Sequence, residues 1–425
     1  MNHVPGHNGR VGMWGISYPG FYAEQGAIDA HPALKAVSPQ APVTDWFVGD
    51  DFHHNGAFFL AHAFNFFVNF DRSRSGPVTK YGGVPFEHGT PDGYRFFLDL
   101  GPLRNATRYF GVARSYWREM MDHPNGDEYW QACDARRGLR QVRPAVMTVG
   151  GWFDAEDLFG ALKVYEAVER HSPGGDNRLV MGPWSHGAWA RTDGDQLGDV
   201  RFFDKTAVFY REKIEFPFFQ HYLKDAGEAT LPEMYAFATG TNEWHALDSW
   251  PPREATAATF YFAPHGGLVR SAPREDEAFD EYPSDPSRPV PCSGETAIGM
   301  PKEYMVADQR FAARRPDVLV YQTPVLDEDL VVAGPIRASL TVSTTGTDSD
   351  WIVKLIDVYP DDYPDPDPNP TRVKMGGYQQ LGARRAHARS LPQQLRAARR
   401  SRRGCRPRSH SRCPTCATCS VAATG

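Results

Sequence analysis

Short apolar runs alternate with segments of helical spacing in two parts of the chain. Strands are predicted at residues 9–14, 34–38, 144–150 and 178–181, and helices at 21–30, 158–171 and 205–224. Strands separated by helices are typical of a parallel sheet with helices on both faces. The pattern therefore predicts one α/β core built from residues 1–55 and 141–226.

The stretch between these two parts is rich in aromatic residues at helical spacing. Helices are predicted at residues 57–68, 94–100, 108–121 and 129–139. Because this helical stretch separates two strands of one predicted sheet, we interpret residues 56–140 as an inserted helical cap. Most of its phenylalanines are expected to form the core of the cap, while one face lines the cleft.

After residue 226 the pattern changes to strands separated by Pro- and Gly-rich loops. Strands are predicted at residues 234–238, 259–262, 318–321, 336–342 and 351–358. Such a series predicts a β-sandwich over residues 227–381. Residues 382–425 lack Phe, Trp, Tyr and any strand pattern, and we expect them to form a disordered tail.

Composition adds an uneven distribution of charge and cysteine, with Cys405, Cys413, Cys416 and Cys419 in the tail and only Cys133 and Cys292 elsewhere. The apolar content of 41% suits a globular protein, and no stretch is long and apolar enough to span a membrane. The start of the sequence lacks a signal-peptide pattern. Residues 382–425 contain 11 arginines and no acidic residue, so the remaining residues are more acidic than the formal charge of −6 indicates. An acidic body argues against nucleic-acid binding by the globular part.

Three residues suited to nucleophilic catalysis follow predicted strands. Ser17 lies on a glycine-flanked strand-to-helix turn, in a Gly-x-Ser-x-x-Gly motif with Pro19 where a second Gly is commoner. Asp154 and His186 follow two later strands. We predict that Ser17 is the nucleophile, that His186 is the general base and acid, and that Asp154 orients the imidazole.

Each of these residues also has an ordinary structural explanation. A Ser in a glycine-rich turn, an Asp that caps a helix and a His in a loop are all common. Their joint occurrence at strand ends, in the order Ser, Asp, His found in α/β-hydrolases, favours a catalytic triad.

Three motifs, Gly-Ile-Ser-Tyr, Gly-Trp-Phe-Asp and Gly-Pro-Trp-Ser-His, resemble those of the CocE/NonD serine hydrolases. That family includes cocaine esterase, glutaryl acylase, X-prolyl dipeptidyl peptidases and α-amino acid ester hydrolases. The resemblance covers residues 8–381 and implies an α/β-hydrolase core with an inserted helical cap and a C-terminal β jelly roll. It also implies that the backbone N–H of Tyr18 is an oxyanion donor.

Within the family, the sequence is most similar to the α-amino acid ester hydrolases. Those enzymes hold the substrate ammonium group with three carboxylates, and the matching residues here are Asp51, Glu156 and Asp157. An alternative is that Glu156 and Asp157 only complement the N-terminus of the following helix. The resemblance implies a small-molecule acyl ester or amide substrate, such as a β-lactam antibiotic. It implies no metal, no organic cofactor and no nucleic-acid or membrane partner, and it leaves a homo-oligomer open.

Two expectations concern the ends of the sequence. In α/β-hydrolases the nucleophile follows the fifth strand, so we expect the core to be N-terminally incomplete and to lack a second oxyanion donor, a Tyr hydroxyl. The jelly roll is likewise expected to be C-terminally incomplete, with a frameshift near residue 382.

Alternatives remain for the tail and for the function. Cys413, Cys416 and Cys419 could bind zinc, and the Arg run could bind nucleic acid. Another acylase or X-prolyl peptidase specificity, or an inactive fragment with only a binding role, is the alternative function.

Overall fold

A computed structural model describes residues 3–70, 76–77, 85–110, 116–227, 231–274, 279–390 and 421–424, with backbone alone for 383–390 and 421–424. The helices are α1 Tyr18–Ala27, α2 Leu60–Phe70, α3 Gly93–Leu100, α4 Tyr116–Asp122, α5 Glu128–Cys133, α6 Leu158–His171, α7 Ala188–Arg191, α8 Thr206–Phe209, α9 Phe216–Lys224 and α10 Arg310–Ala313. Shorter 3-10 turns are Leu103–Tyr109, Ala135–Gly138, Pro264–Gly266 and Lys302–Val306, and Tyr210–Glu215 is a π-helical turn.

The strands vary from two to twelve residues in length. They are β1 Val11–Ile16, β2 Leu34–Gln40, β3 His53–His54, β4 Ala57–Phe58, β5 Ala145–Gly151, β6 Asn177–Gly182, β7 Gln196–Leu197, β8 Val200–Arg201, β9 Met234–Ala238, β10 Glu243–Leu247, β11 Thr256–Ala258, β12 Tyr261–Ala263, β13 Gly267–Val269, β14 Val331–Val332, β15 Asp348–Val358, β16 Gln379–Ser390 and β17 Val421–Thr424.

The largest sheet has the strand order β1-β2-β5-β6-β9-β10. Its first five strands are parallel, and β10 is antiparallel to β9. Because Ile16 pairs with Gln40 and Gly151 pairs with Gly182, the carboxyl ends of β1, β2, β5 and β6 meet at the same edge of the sheet. Loops that follow these strands are thereby brought together, as is usual in open parallel sheets.

Strand β9 belongs to the parallel sheet and not to the predicted β-sandwich. The sequence assigned residues 234–238 to that sandwich, whereas the structure pairs β9 with β6 of the parallel sheet. The hairpin formed by β9 and β10 extends the same sheet. Strand pattern alone does not reveal the partner of a strand, because pairing depends on residues far apart in the sequence.

The core of the sheet is apolar on both faces. Every residue of β5 is buried, as is typical of a central parallel strand. On one face the side chains of Trp184, Trp189 and Tyr210 pack with the helical run that ends in α9. On the other, Val146 and Val164 join the strand to α6. The run from α8 through the π-helical turn to α9 is continuous and matches the predicted helix 205–224.

The cap contains the expected aromatic core, although one of its predicted helices is divided. Phe64 contacts a ring of aromatic residues, and Phe110 stacks on Trp117 with centroids 4.5 Å apart. The predicted helix 129–139 is divided, because the Asp134 side chain accepts a hydrogen bond from the Arg136 amide and starts a new 3-10 turn. Residues 111–115 of the predicted helix 108–121 lie outside the described residues.

The chain divides into two compact units. The first comprises residues 1–247, 291–309 and 355–383, and the second comprises 248–290, 310–354 and 384–425. The second unit contains the sheet of β11, β17 and β14 and the hairpin of β12 and β13. Residues 318–321 and 336–342 were predicted as strands but form none, and any β-bridge within them is isolated. Their alternating pattern alone does not supply the hydrogen-bonded partner that a strand requires.

Strand β16 corrects the predicted beginning of the tail. It continues through Ser390, and β17 lies still further along the chain, whereas the sequence predicts no strand after residue 381. Backbone pairing with β15 accounts for the difference, because ladder hydrogen bonds do not require an alternating apolar pattern. The four tail cysteines and most of the Arg run lie outside the described residues. Among the described residues, no helix is long and apolar enough to cross a membrane.

Candidate active site

Ser17 occupies a strained backbone conformation at the sharp turn between β1 and α1. Its φ and ψ angles are 66° and −124°, a region that residues with a side chain seldom adopt. Such a conformation costs on the order of 1–3 kcal/mol and persists only where the surroundings enforce it. Two flanking glycines permit the crowding. A Cβ on Gly15 would lie 2.4 Å from the Pro19 Cβ, and one on Gly20 would lie 2.5 Å from the Gln40 carbonyl oxygen.

The beginning of α1 explains the unusual spelling of the motif. Helix α1 starts at Tyr18, three residues earlier than predicted, and Pro19 lies in its first turn, where proline is tolerated. The backbone of α1 approaches β2 closely at Gly20. In the commoner motif a glycine one position earlier allows this packing, and here Gly20 allows it. As the first helical residue, Tyr18 has a backbone N–H without an acceptor inside the helix, and this N–H is available to an oxyanion.

Asp154 is buried at the carboxyl end of β5, and its carboxylate is fully engaged. Oδ1 accepts hydrogen bonds from the amides of Glu156 and Asp157 at 2.8 and 3.0 Å. Oδ2 lies 2.9 Å from Nδ1 of His186. Burial disfavours the charged carboxylate, but the charge and hydrogen bond of His186, together with the two amides, outweigh burial and lower the pKa of Asp154. Asp154 is therefore held as an anion.

His186 follows β6 and presents one ring nitrogen to Asp154. Burial opposes protonation of the imidazole, but the Asp154 charge and hydrogen bond and the nearby Glu156 raise the pKa of His186 to about 9. Since Asp154 accepts from Nδ1, the neutral imidazole has its lone pair on Nε2, as a general base requires. In the part of the chain that the structure describes, no hydrogen bond joins the Ser17 hydroxyl to His186. Sheet topology nevertheless puts both residues beyond the same edge.

The three predicted substrate-binding carboxylates also converge here. The Asp51 amide donates to the Glu156 carbonyl oxygen at 3.2 Å, and a Glu156 carboxylate oxygen lies 3.7 Å from Nε2 of His186. An Asp157 carboxylate oxygen lies 3.8 Å from Nδ1 of His186. We call Asp51, Glu156 and Asp157 the carboxylate cluster.

Asp157 is the most unusual member of the carboxylate cluster. It is wholly buried, and among the described residues neither carboxylate oxygen has a hydrogen-bond partner. Asp157 is the N-cap residue of α6, but its side chain makes no capping hydrogen bond. Burial and the charges of Asp51, Asp50 and Asp154 raise its pKa well above the usual range. The simple helix-capping explanation therefore does not account for this side chain.

The neighbouring Asp50 has a different role from Asp51. Its carboxylate accepts hydrogen bonds from the amides of Thr44, Asp45 and Gly160 at 2.7–3.0 Å. These bonds fix the loop after β2 to the start of α6. Asp50 is thus a structural residue, and Asp51 is the member of the pair that faces the site.

His62 belongs to this site, although the sequence gave no reason to select it. It lies on α2 of the cap, and its Nε2 is 3.3 Å from an Asp51 carboxylate oxygen. Burial opposes protonation, but the hydrogen bond and charge of Asp51 and the charge of Glu156 raise the pKa of His62. A single His in an aromatic helix carries no recognisable motif, so only the folded chain reveals this contact.

Gln40 is a second residue that sequence analysis missed. Its carbonyl oxygen accepts a hydrogen bond from the Ser17 amide at 2.9 Å. Its side-chain oxygen accepts from the Trp189 indole at 2.8 Å, and its amide nitrogen donates to the Tyr210 hydroxyl and the Glu215 carboxylate. This buried residue links the nucleophile turn to the segment that follows His186.

A metal ion is the other ligand type that such side chains can hold. Asp51, His62 and Glu156 each offer one donor atom, and these atoms lie within 4.8 Å of one another. Ligands of one zinc ion lie about 2.0–2.2 Å from it, so two of them are at most about 4.4 Å apart. Donor atoms separated by as much as 4.8 Å are too far apart to share one zinc ion as they stand.

Comparison with family models gives two matches. Residues 1–188 match the model described as X-Pro dipeptidyl-peptidase (S15 family). Residues 227–400 match the model described as X-Pro dipeptidyl-peptidase C-terminal non-catalytic domain. The second match extends past residue 382, where the sequence predicts a tail, and agrees with the continuation of β16.

Known proteins with similar sequences or structures are hydrolases. A cocaine esterase of Rhodococcus sp. (strain MB1 Bresler) is 27% identical over 83% of this chain. An aminopeptidase from the marine sediment archaeon Thaumarchaeota archaeon has a TM-score of 0.82, with 36% identity over 91% of this chain. An alpha-amino acid ester hydrolase has a TM-score of 0.80, with 34% identity over 90% of this chain. The chain spans 63%, 63% and 62% of the lengths of these three proteins, respectively.

Proposed function

The chain belongs to the CocE/NonD serine hydrolases, with domains of the X-Pro dipeptidyl-peptidase (S15) type, and we propose that it cleaves esters or amides of α-amino acids through an acyl-enzyme on Ser17. The α/β-hydrolase core and the C-terminal β domain are those of this family. The observation that carries the proposal is the buried, hydrogen-bonded pair of Asp154 and His186 at the sheet edge where Ser17 follows β1.

The proposed acylation step uses these side chains in the usual roles. The Ser17 hydroxyl attacks the substrate carbonyl carbon, and His186 Nε2 accepts the hydroxyl proton. The Tyr18 N–H stabilises the resulting oxyanion. When the tetrahedral intermediate collapses, the bond to the leaving group breaks, and the alcohol or amine receives the proton from His186.

Deacylation repeats the same proton transfers with water. His186 removes a proton from the water that attacks the acyl carbon, and the proton then returns to Ser17 as the acid is released. Asp154 stays ionised throughout, because its two backbone amide donors and His186 all favour the anion. It keeps Nδ1 as the protonated nitrogen, so that Nε2 alone exchanges protons.

The carboxylate cluster supports an α-amino acyl group as the preferred substrate. Anionic side chains beside the acyl site attract an ammonium group and repel acyl groups that carry a carboxylate. Asp157 supports a ligand that donates hydrogen bonds, because a buried carboxyl without hydrogen-bond partners gains most when a donor arrives. The alpha-amino acid ester hydrolase among the similar structures has a name consistent with this substrate class.

Labelling with a fluorophosphonate reagent tests the catalytic proposal. The chain should form a covalent adduct that Ser17→Ala abolishes, and an unlabelled chain would contradict the proposed nucleophile.

Hydrolysis of phenylglycine methyl ester relative to phenylacetic acid methyl ester then tests the ammonium site. Asp51→Asn combined with Glu156→Gln should remove the preference for the amino ester, whereas Asp99→Asn, on the exposed surface of the cap, should retain it.

A further inference from the structure

His62 is the cationic side chain contributed by the cap to the carboxylate cluster. It lies on α2, whereas Asp51 follows β2 and Glu156 follows β5. The contact of 3.3 Å between His62 Nε2 and Asp51 Oδ1 is that of a hydrogen-bonded ion pair when the imidazole is protonated. The imidazole is mostly buried, so solvent screens this interaction only weakly.

The surroundings fix the position of the imidazole ring. Phe52 packs against it with centroids 6.1 Å apart. The charged groups facing His62 are Asp51, Glu156 and His186. Two of these are carboxylates of the proposed ammonium site, so an imidazolium at this position occupies the same electrostatic field as a substrate ammonium group.

We propose that protonated His62 is a built-in counter-ion of the carboxylate cluster and that it sets the pH range in which the site accepts an ammonium group. This inference rests on the proposed function, because it assumes that the cluster binds the α-ammonium group of the substrate. When His62 is charged, it neutralises part of the cluster and repels an incoming cation. When it is neutral, the imidazole leaves the carboxylates free to bind that cation.

The direction of the pH effect follows from the facing groups. The pKa of His62 is raised above its ordinary value near 6.5, so the imidazole keeps its charge past that pH and loses it as pH rises through the raised pKa. Cation binding should therefore strengthen as pH rises. His186, with a pKa of about 9, and Glu156 and Asp157, whose pKa values are raised, add their own pH dependence. Because the charge of His62 itself lowers the pKa of Glu156, a variant that keeps a positive charge at position 62 is needed beside one that removes it.

The experiment measures inhibition of neutral-ester hydrolysis by 2-phenylethylammonium between pH 6 and pH 9. This alkylammonium has a pKa near ~10, like a lysine side chain, and so remains charged over most of that range. The neutral analogue 2-phenylethanol is the control ligand. In the wild-type chain the inhibition constant for the ammonium should fall as pH rises, relative to the constant for the alcohol.

Three variants separate the role of His62 from its packing. His62→Gln should bind the ammonium roughly tenfold more tightly than wild type at pH 6, and this difference should narrow toward pH 9. His62→Lys, which stays charged, should bind it weakly across the range and gives the same test if the Gln variant fails to fold. His123→Gln removes another His–Asp pair on the cap and should behave as wild type.

Two outcomes would overturn the inference in distinguishable ways. If the ammonium binds more tightly than the alcohol, but with the same constants and pH dependence in wild type, His62→Gln and His62→Lys, His62 is not the counter-ion and the proposed function stands. If all chains bind the ammonium and the alcohol equally, the carboxylate cluster is not an ammonium site. The inference and the proposed substrate class then fail together.

Discussion

The backbone amide of Ser17 donates a hydrogen bond to the carbonyl oxygen of Gln40 at 2.9 Å, which fixes the nucleophile turn to the end of β2. The side chain of the same Gln40 accepts a hydrogen bond from the Trp189 indole, three residues after His186. One buried residue on the strand between β1 and β5 therefore holds both the turn at Ser17 and the segment that follows His186. We infer that Gln40 is a positioning residue for catalysis.

Gln40→Met should impair both stability and catalysis. The substitution leaves the Trp189 indole N–H without its buried partner, at a cost of about 1–3 kcal/mol. Glu215 also loses the Gln40 donor but keeps the hydrogen bond from the Tyr210 hydroxyl. We expect a lower unfolding temperature and slower fluorophosphonate labelling of Ser17, measured well below the unfolding transition of the variant.

A double-mutant cycle distinguishes positioning from general destabilisation. Trp189→Phe removes the indole donor to Gln40 while retaining an aromatic ring. If the two residues act through their shared hydrogen bond, their effects on the labelling rate should be less than additive. Labelling at the wild-type rate in folded Gln40→Met would contradict the positioning role.

The rate of neutral-ester hydrolysis should rise with pH up to a plateau above pH 9. Only the neutral imidazole of His186 can accept the Ser17 proton, and its pKa is raised to about 9, so the active form is a minority at pH 7. The measurement is kcat/KM for an uncharged ester between pH 6 and pH 10. A plateau reached already near pH 7 would show that His186 has an ordinary pKa during turnover.

Asp154→Asn should lower the acylation rate by about 10³–10⁴-fold with little change in folding temperature. The amide cannot stabilise the imidazolium, and its NH₂ group does not favour the tautomer with its proton on Nδ1. Asp154 makes the largest contribution that raises the pKa of His186. Loss of its carboxylate should therefore shift the rise of the rate to lower pH, toward the ordinary pKa of histidine. An unchanged pH profile would exclude Asp154 as the partner of His186.

Gly20→Ala should distort the turn at Ser17, although the substitution adds only one methyl group. The added Cβ would meet the Gln40 carbonyl oxygen at 2.5 Å, and this backbone atom cannot rotate away. We expect a loss of about 1–3 kcal/mol in unfolding free energy and strongly reduced labelling of Ser17. Gly346→Ala, where the nearest atoms lie at an ordinary 3.5 Å, is the matched control.

Sequence analysis selected candidate site residues that lie in local motifs, and their roles stay predictions. Ser17, Asp154 and His186 each follow a strand within a recognisable motif of four or five residues, and apolar periodicity locates those strands. Asp51, Glu156 and Asp157 were selected through the family resemblance. Gln40 and His62 escaped detection, because their roles arise from contacts with residues 149 and 11 positions away, respectively, and neither lies in a motif.

The parallel core could also be predicted from local sequence patterns, whereas the pairing of the C-terminal strands could not. In the core, apolar runs and helices alternate, and the chain order largely dictates the pairing. Strand β9 has the same local pattern as a sandwich strand, and only its pairing with β6 assigns it to the first sheet. The family assignment of the fold, with its C-terminal β domain, is confirmed, but the domain boundaries stay predictions.

Glu24 provides a prediction about stability that is separate from catalysis. This residue of α1 is completely buried, and one carboxyl oxygen accepts a hydrogen bond from the Thr44 hydroxyl at 3.0 Å. Among the described residues, the other oxygen has no partner. Burial raises the pKa of Glu24 well above its usual range, although the Thr44 hydrogen bond opposes this shift.

Glu24→Gln should therefore stabilise the chain increasingly as pH rises. In the wild type, the unfolded state ionises above pH ~4.3 while the folded state keeps Glu24 protonated, so the unfolded state binds fewer protons and stability falls with increasing pH. The loss is about 1.4 kcal/mol for each pH unit between the unfolded and folded pKa values. Glutamine does not ionise, so its unfolding temperature relative to wild type should be higher at pH 8 than at pH 5. The exposed Glu243→Gln should show no such trend, and a pH-independent difference for Glu24→Gln would mean that Glu24 is ionised in the folded chain.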